Sequence, residues 1–256
     1  MTFEELVKKH AELNKKWILI SNDNPIELKH TGLGIRFLEI DFAVLSIKNN
    51  EWAKSKQHFY TAATLDLIAT TNFNSNQLSY GLALLSYPLL SDNNHIIERY
   101  AKIRYQPWGK MKGMDENVLL GKSDIWCNTI QFLMVNDLEG INRNLNILET
   151  ITLPKLSKKE NLLKDDYEFF KAIYSKDKAK MEEVLDKLVS SKIHKKRNIN
   201  DIHAQYISLP ALGYAKLAWR HGIEVEVNSP LIPKELLPIK PLEKYEIAYD
   251  FLKYYL

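Results

Sequence analysis

The sequence predicts an all-α fold, an irregular bundle of about ten helices arranged as helical hairpins, with a short extended segment near the C-terminus. Apolar residues recur at the three- and four-residue spacing of helices along most of the 256 residues. Glycine and proline, which interrupt helices, occur only nine times each. The one strand candidate, residues 223–227, is too short to build a sheet. No segment recurs at a constant period, so a compact bundle is favoured over a regular solenoid.

The first elements follow from capping and apolar patterns. Thr2 and Glu5 have the spacing of a capping box, which predicts that a first helix begins there and ends at a turn over residues 22–25. A second helix, over residues 31–47, is apolar all round, as is typical of a helix central to the core. A third helix is predicted over residues 50–70.

Shorter helices are predicted in the middle of the chain. After a turn at residues 72–76, a helix over residues 77–87 is predicted to stop at Pro88, and Asp92 is predicted to cap a fifth helix. A loop follows at residues 106–115. Further helical patterns cover residues 116–135, 137–151, 159–174 and 177–190.

Composition indicates a soluble globular protein, which we expect to form one domain over residues 1–256. Pro154 interrupts a polar segment, so residues 152–159 are the alternative domain boundary. The net charge of +3 is too small to indicate a nucleic-acid partner. The N-terminus lacks the apolar stretch of a signal peptide, and no apolar run approaches the ~20 residues of a membrane span. With a single cysteine, Cys127, we expect a cytoplasmic protein without disulfides or a membrane partner.

No motif for catalysis or cofactor binding is present, so we expect no catalytic residue, no cofactor and no metal. The sequence at residues 121–123, Gly-Lys-Ser, lacks the upstream glycine of a phosphate-binding loop. The seven histidines show no pair at the spacing of a helical zinc site. Cys127 lies in an apolar run and is interpreted as a small buried side chain.

Two carboxylates, Asp41 and Asp66, lie within apolar helices, where an unpaired charge is costly. They could form an acid–base pair in an enzyme. The favoured interpretation is that they hold the helices in register by pairing with Arg36, Arg99, Arg104 or a tyrosine hydroxyl. Asp124 precedes an apolar helix and is predicted to be its N-cap.

The segment of residues 155–197 is rich in charge. It holds thirteen Lys and Arg and eight Asp and Glu, an excess of five positive charges. Such a mixed run is typical of solvated helix faces. Its acids could face a basic partner such as a nuclease toxin, and we name five as candidate partner-binding residues: Asp165, Asp166, Glu168, Glu182 and Glu183. The basic cluster at residues 194–197 could bind an acidic partner or phosphates, but it lacks nearby aromatic residues, and we do not expect a nucleic acid.

The C-terminal block over residues 206–237 combines several specific signals. A helix is predicted to begin at Leu209-Pro210, and the small residues within it would let a neighbouring helix approach closely. Gly222 stands where a helix end favours a left-handed residue. Residues 223–227 alternate apolar and acidic, as in a half-buried extended segment, and several prolines follow. A short helix is predicted at residues 234–237 and a final amphipathic helix at residues 245–254.

This block, SLPALGYAKLAWRHGIEVEV followed by SPLIPKELL, resembles the C-terminal signature of the immunity protein 49 family of bacterial polymorphic toxin systems. The resemblance implies a non-enzymatic cytoplasmic protein that binds a cognate toxin domain and neutralises it. The matched prolines, glycines and Trp219 would then be structural and not toxin contacts. Two alternatives remain, namely a helical-hairpin adaptor that binds peptide segments and an enzyme that uses Asp41, Asp66 or a histidine. The sequence does not decide between a monomer and a dimer.

Overall fold

The computed structural model describes residues 2–75, 85–198 and 200–256, and within these ranges the all-α prediction is confirmed, with no β-strand. The described residues form twelve α-helices: α1 (Phe3–Asp23), α2 (Leu28–Lys48), α3 (Trp52–Phe73), α4 (Ser86–Ser91), α5 (Asn94–Lys102), α6 (Met114–Leu119), α7 (Asp124–Met134), α8 (Leu138–Ile147), α9 (Leu163–Ser175), α10 (Lys178–Val189), α11 (Ser191–Arg197) and α12 (Leu209–Arg220). Short 3₁₀ turns lie at Pro25–Glu27, Leu153–Lys155, His203–Gln205, Lys234–Leu236 and Asp250–Tyr254, and a π turn lies at Leu148–Thr152.

Helices α2 and α3 form the central hairpin. As its apolar pattern predicts, α2 buries side chains around most of its circumference, including Ile35, Leu38 and Val44. Helix α3 buries Phe59 and Leu67, and both helices contribute to a large apolar cluster that extends from α1 to the C-terminal block. This cluster fixes the position of the C-terminal block relative to the central hairpin.

A second apolar cluster joins the central hairpin to the 3₁₀ turn at Asp250–Tyr254, and Ile18 of α1 packs against it. It consists of Leu28, Ile35, Leu65, Ile68, Phe251 and Leu252.

The predicted capping box begins α1, since the Glu5 N–H donates to Thr2 Oγ1 at 3.2 Å and the Thr2 N–H donates to Glu5 Oε2 at 2.8 Å. The N-terminal helix is therefore defined by its own sequence and packed by distant parts of the chain.

The C-terminal block folds largely as predicted. Helix α12 carries Pro210 in its first turn, and Gly222 follows its end with a left-handed φ of 74°. Residues 223–227 belong to no helix or strand, and Val225 and Val227 are buried whereas Glu224 and Glu226 are exposed.

Helices α12 and α4 approach closely because Gly213 has no side chain. A Cβ atom added to Gly213 would lie 2.2 Å from Ser86 Oγ and 2.7 Å from Ser86 Cβ. The Ser86 hydroxyl also donates to the Leu209 carbonyl at 3.0 Å. This contact is the close helix approach that the small residues of α12 predict.

The helix predicted over residues 116–135 is instead two helices, α6 and α7. Gly121 lies between them with a left-handed φ of 66°, which ends the first helix. Asp124 is not the N-cap of α7 but its first residue, and its buried carboxylate accepts a hydrogen bond from the Tyr105 hydroxyl. A tertiary contact therefore replaces the predicted local cap.

Pro88 and Asp92 do not act as predicted. The helix predicted over residues 77–87 lies almost entirely outside the described residues, and Pro88 lies within α4 near its start, where the missing N–H removes no helical hydrogen bond. Asn93 and not Asp92 caps α5, accepting from the Ile96 N–H at 2.9 Å. Asp92 adopts a φ of 61° and is fully buried.

The prediction of a helix over residues 245–254 is also wrong, because only a 3₁₀ turn at Asp250–Tyr254 forms. Gln57 on α3 accepts from the Glu246 N–H and donates to the Glu246 carbonyl, both at 2.9 Å. A side chain of α3 thus takes the backbone hydrogen bonds that a helix would have formed internally.

Within the described ranges, no helix is long and apolar enough to cross a membrane. Residues 152–159, the alternative domain boundary, include Leu153 and Leu156, which pack against the large apolar cluster together with the neighbouring Ile151. The single-domain interpretation stays a prediction.

Candidate functional site

A groove of about 500 Å³ lies where the C-terminal block passes the corner between α2 and α3. Its lining combines two aromatic side chains, two prolines and two cations, namely Trp52, Tyr206, Pro230, Pro233, Lys48 and Lys234. The buried side chains of Ile47 and Ile232 also line it. An open groove with apolar, aromatic and charged groups is suited to receive part of another molecule.

Tyr206 is held in the groove by the N-terminal helix. The ring of Phe3 stacks on the ring of Tyr206 with 5.3 Å between centroids. Lys48 Nζ lies 5.9 Å from the centroid of the Tyr206 ring and also pairs with Glu4. The groove therefore has one wall that is positioned by α1 and α2.

The other wall consists of residues 228–235, and hydrogen bonds hold it at Leu231 and directly after its end. The Ser208 N–H donates to the Leu231 carbonyl at 2.9 Å. Lys216 Nζ donates to the carbonyls of Leu236 and Pro238 at 2.6 and 2.8 Å. An irregular segment with its backbone bound in this way is fixed by polar contacts and not by secondary structure.

Asp92 pairs with Lys216, the residue that binds the backbone after the groove wall. It is fully buried, and its carboxylate lies 2.8 Å from the ammonium groups of both Lys216 and Lys56. Burial lowers the pKa of Lys216 to about 8, although Asp92 acts in the opposite direction. Sequence reasoning missed this cluster, because its members lie on α3, after α4 and on α12, and Asp92 alone looked like a helix cap.

Asp41 and Asp66 are both paired, in separate clusters. Asp66 contacts Arg36, and the Tyr100 hydroxyl donates to it at 3.3 Å, as the pairing interpretation predicts. Burial raises the pKa of the Asp66 carboxyl, while Arg36 opposes that shift. Asp41 differs from the prediction, because its partners are neither arginine nor tyrosine.

Two imidazoles contact Asp41. His10 Nδ1 lies 2.7 Å from one carboxylate oxygen and His203 Nε2 lies 2.6 Å from the other. Asp41 thus joins α1, α2 and the 3₁₀ turn after α11. The prediction failed here because a histidine 162 residues away gives no signal near Asp41 in the sequence.

The five acids predicted to face a partner do not form one outward surface. Asp165 and Asp166 are buried, the first 2.5 Å from Lys187 Nζ and the second 2.6 Å from Arg197 Nη1. Glu168 and Glu182 are half-buried, and Glu182 accepts from the Glu226 N–H at 2.8 Å. Glu183 is exposed and pairs with Lys180 at 2.9 Å. Contact between these acids and a partner stays a prediction.

Among the residues that the structure describes, no three His, Cys, Asp or Glu side chains are grouped so that they could hold a metal ion. Cys127 is buried within the large apolar cluster, as its sequence context predicts.

Comparison with known proteins bears on the same part of the chain. The family model described as immunity protein 49 matches residues 48–236. This range includes every residue named above as lining the groove except Ile47, and it includes the C-terminal block up to Leu236. No curated protein and no solved structure matches the chain.

Proposed function

The chain belongs to the immunity protein 49 family, and from this membership we infer that it neutralises a cognate bacterial toxin domain by binding it in a stoichiometric protein–protein complex. The observation that carries the proposal is the family match over residues 48–236, which is about three quarters of the chain. The protein would act in the cytoplasm of a bacterium that encodes a polymorphic toxin, and it would require neither catalysis nor a cofactor.

The proposed mechanism is occlusion by a preformed surface. Residues held in place before binding lose little conformational entropy in the complex, so more of the contact energy appears as affinity. Both walls of the groove have this property, since Tyr206 is stacked on Phe3, the Leu231 carbonyl accepts from the Ser208 N–H, and Lys216 of α12 binds the Leu236 carbonyl directly after residues 228–235. Covering the active site of the toxin, or holding the toxin away from its target, would then be sufficient for protection.

Within this proposal, the groove receives an apolar side chain of the toxin. Trp52 and Tyr206 are the residue types that dominate binding energy at protein interfaces. Glu168, Glu182 and Glu183 remain candidates for additional contacts, because they keep exposed surface. Asp165 and Asp166 are better explained as structural, since their carboxylates contact Lys187 and Arg197.

A protection experiment tests the proposal. A sensitive bacterial host would express the toxin-like domain encoded beside this protein, with and without the protein, and survival would be counted. We expect survival only with the protein, and co-purification of the pair. Death in both cases would contradict the proposal. Weak binding to several unrelated peptides, without protection, would instead support the adaptor alternative.

A matched pair of variants tests the groove. Trp52→Ala removes the aromatic group at the groove, and Trp108→Ala removes an exposed tryptophan elsewhere. We expect the first variant to weaken toxin binding at least about tenfold and the second to leave it unchanged. Equal effects would remove the groove from the interface while leaving the proposed function intact.

A further inference from the structure

In the charged segment of residues 155–197, two carboxylates are buried whereas many of the lysines are exposed. The carboxylates of Asp165 and Asp166, in the first turn of α9, are turned inward and are nearly or fully inaccessible to solvent. Each is neutralised by a cation of another helix, Lys187 or Arg197. Their charge therefore contributes little to the outer surface of this part of the protein.

These same pairs bring three helix ends together. Lys187 lies in the last turn of α10, and its contact with Asp165 joins this end to the start of α9. Arg197, in the last turn of α11, contacts Asp166 and also donates to the Leu162 carbonyl at 3.4 Å. The start of α9, the end of α10 and helix α11 thus form one contiguous region.

Lysines are the main exposed groups of this region. We call six of them the lysine face: Lys158, Lys159, Lys164, Lys192, Lys195 and Lys196. All six are exposed, and none forms a salt bridge with another described residue. The exposed acids of the same region are Glu160, Asp186 and Asp201, and the Ser157 N–H donates to Glu160 at 3.0 Å. The lysines therefore outnumber the exposed carboxylates, and the region is positively charged.

We propose that the lysine face is a docking surface for an acidic patch of the partner protein. The proposal rests on the proposed function. It adds that the surface of the toxin domain that contacts the lysine face carries carboxylates and not basic groups. Ammonium groups without internal partners keep their full charge for a partner. Such groups accelerate encounter and select partners through charge complementarity.

A protein partner fits this surface better than a nucleic acid does. Single-stranded nucleic acids are bound by combining cations with exposed aromatic rings on which bases stack. Tyr167, Phe169 and Phe170 of α9 are buried, and Tyr174, which is partly exposed, lies at the opposite end of that helix. The described part of the lysine face therefore offers charge without a stacking platform.

Two charge-reversal variants test the proposal. The face variant combines Lys192→Glu, Lys195→Glu and Lys196→Glu, all on α11. The control variant combines Lys8→Glu, Lys9→Glu and Lys16→Glu on α1, where the three lysines are also exposed and form no salt bridge with a described residue. Both variants change the net charge equally and leave Asp165–Lys187 and Asp166–Arg197 intact. Circular dichroism melting would first verify that both are folded.

The first readout is the association rate with the toxin domain of the protection experiment, at low and high salt. We expect the face variant to associate at least about tenfold more slowly than the wild type at low salt, with a smaller difference at high salt. The control variant should stay within about twofold of the wild type. Equal rates for the two variants, with protection retained by both, would contradict the proposal that the lysine face is a docking surface. The proposed immunity function would not be contradicted by this result.

The second readout does not require a toxin. Each protein would be eluted by a salt gradient from a resin that carries poly-L-glutamate and, separately, from one that carries single-stranded poly-uridylate RNA. We expect the face variant to elute from poly-L-glutamate at lower salt than the control variant. Identical elution of the two variants would overturn the proposal, as would retention of the wild type on the RNA resin to higher salt than on poly-L-glutamate.

Discussion

Arg197 of α11 donates two hydrogen bonds to the carboxylate of Asp166, which lies in the first turn of α9 and is fully buried. Burial alone would lower the pKa of the Arg197 guanidinium, but contact with Asp166 outweighs it and raises that pKa. The Tyr214 hydroxyl also donates to Asp166. One carboxylate thereby joins α9, α11 and α12, and a residue that the sequence suggested as a partner contact is part of the interior.

We predict that Asp166→Ala destabilises the fold, because it leaves the Arg197 guanidinium buried without its partner. Removing one member of a buried ion pair costs about 3–5 kcal/mol. The free energy of unfolding would be measured by urea denaturation. Glu183→Ala, which removes an exposed acid of the same segment, should leave this free energy unchanged within error. Comparable losses for the two variants would contradict the internal role of Asp166.

Lys216→Met should also destabilise the protein. Methionine fills a similar volume but cannot donate to Asp92 or to the carbonyls of Leu236 and Pro238. Because Lys56 still pairs with Asp92, the loss comes from the carbonyls left without a donor, and we expect about 1–3 kcal/mol in the free energy of unfolding. We also expect faster hydrogen exchange in the chain after residue 236. Lys54→Met, at an exposed position of α3, is the control. Unchanged exchange would show that Lys216 does not hold this segment.

Gly213→Ala should separate α12 from α4. The new methyl group would overlap Ser86 Oγ and Cβ, and overpacking of this kind costs about 1–3 kcal/mol. Because the two closest overlaps are with the Ser86 side chain, and Ser86 Cα lies farther away at 3.2 Å, Ser86→Gly in the same chain should recover part of the loss. A double-mutant cycle of urea denaturation measures this coupling. Strictly additive effects would mean that the contact between Gly213 and Ser86 does not limit the helix approach.

The pH dependence of stability should depend on His221. Burial lowers the pKa of its imidazole, and the nearby cations Arg220 and Lys176 also lower it, whereas the hydrogen bond between Nε2 and the Leu133 carbonyl opposes the shift. In the unfolded chain His221 takes up a proton as the pH falls through about 6.5, whereas the folded protein resists protonation. The unfolded state then binds more protons, so stability falls as the pH decreases below this value.

His221→Gln should therefore show a shallower loss of stability between pH 7 and pH 5 than the wild type. A single proton limits the difference in slope to about 1.4 kcal/mol per pH unit. Urea denaturation at several pH values measures it, and His30→Gln provides a control at an exposed histidine. A slope in His221→Gln equal to that of the wild type would contradict the assignment.

The local parts of the fold could be predicted from the sequence. The capping box of Thr2 and Glu5, the all-round burial of α2 and the left-handed Gly222 each depend on residues within a few positions of one another. The amphipathic pattern of residues 245–254 wrongly predicted a helix, because contacts with distant parts of the chain determine the structure of this segment. Its backbone is held by Gln57, and the Tyr249 hydroxyl donates to Glu39, so distant side chains override the local helical pattern.

The candidate site could be predicted only in part. The sequence indicated that the C-terminal block has a specific structure. The groove, however, is also lined by Lys48 and Trp52 of the central hairpin, which the sequence did not connect with this block. The orientation of the charges was not predictable, because Asp165 and Asp166 find their partners 22 and 31 residues later in the chain. A charged helix pattern shows which residues are ionised but not which of them a neighbouring helix will neutralise.

The most direct test of toxin neutralisation is a titration of toxin activity. A fixed amount of the purified toxin domain would be mixed with increasing amounts of this protein, and the remaining activity would be measured. We expect a linear fall that reaches complete inhibition at one protein per toxin, with a single complex in size-exclusion chromatography coupled to light scattering. Full toxin activity at a large molar excess of the protein would contradict it.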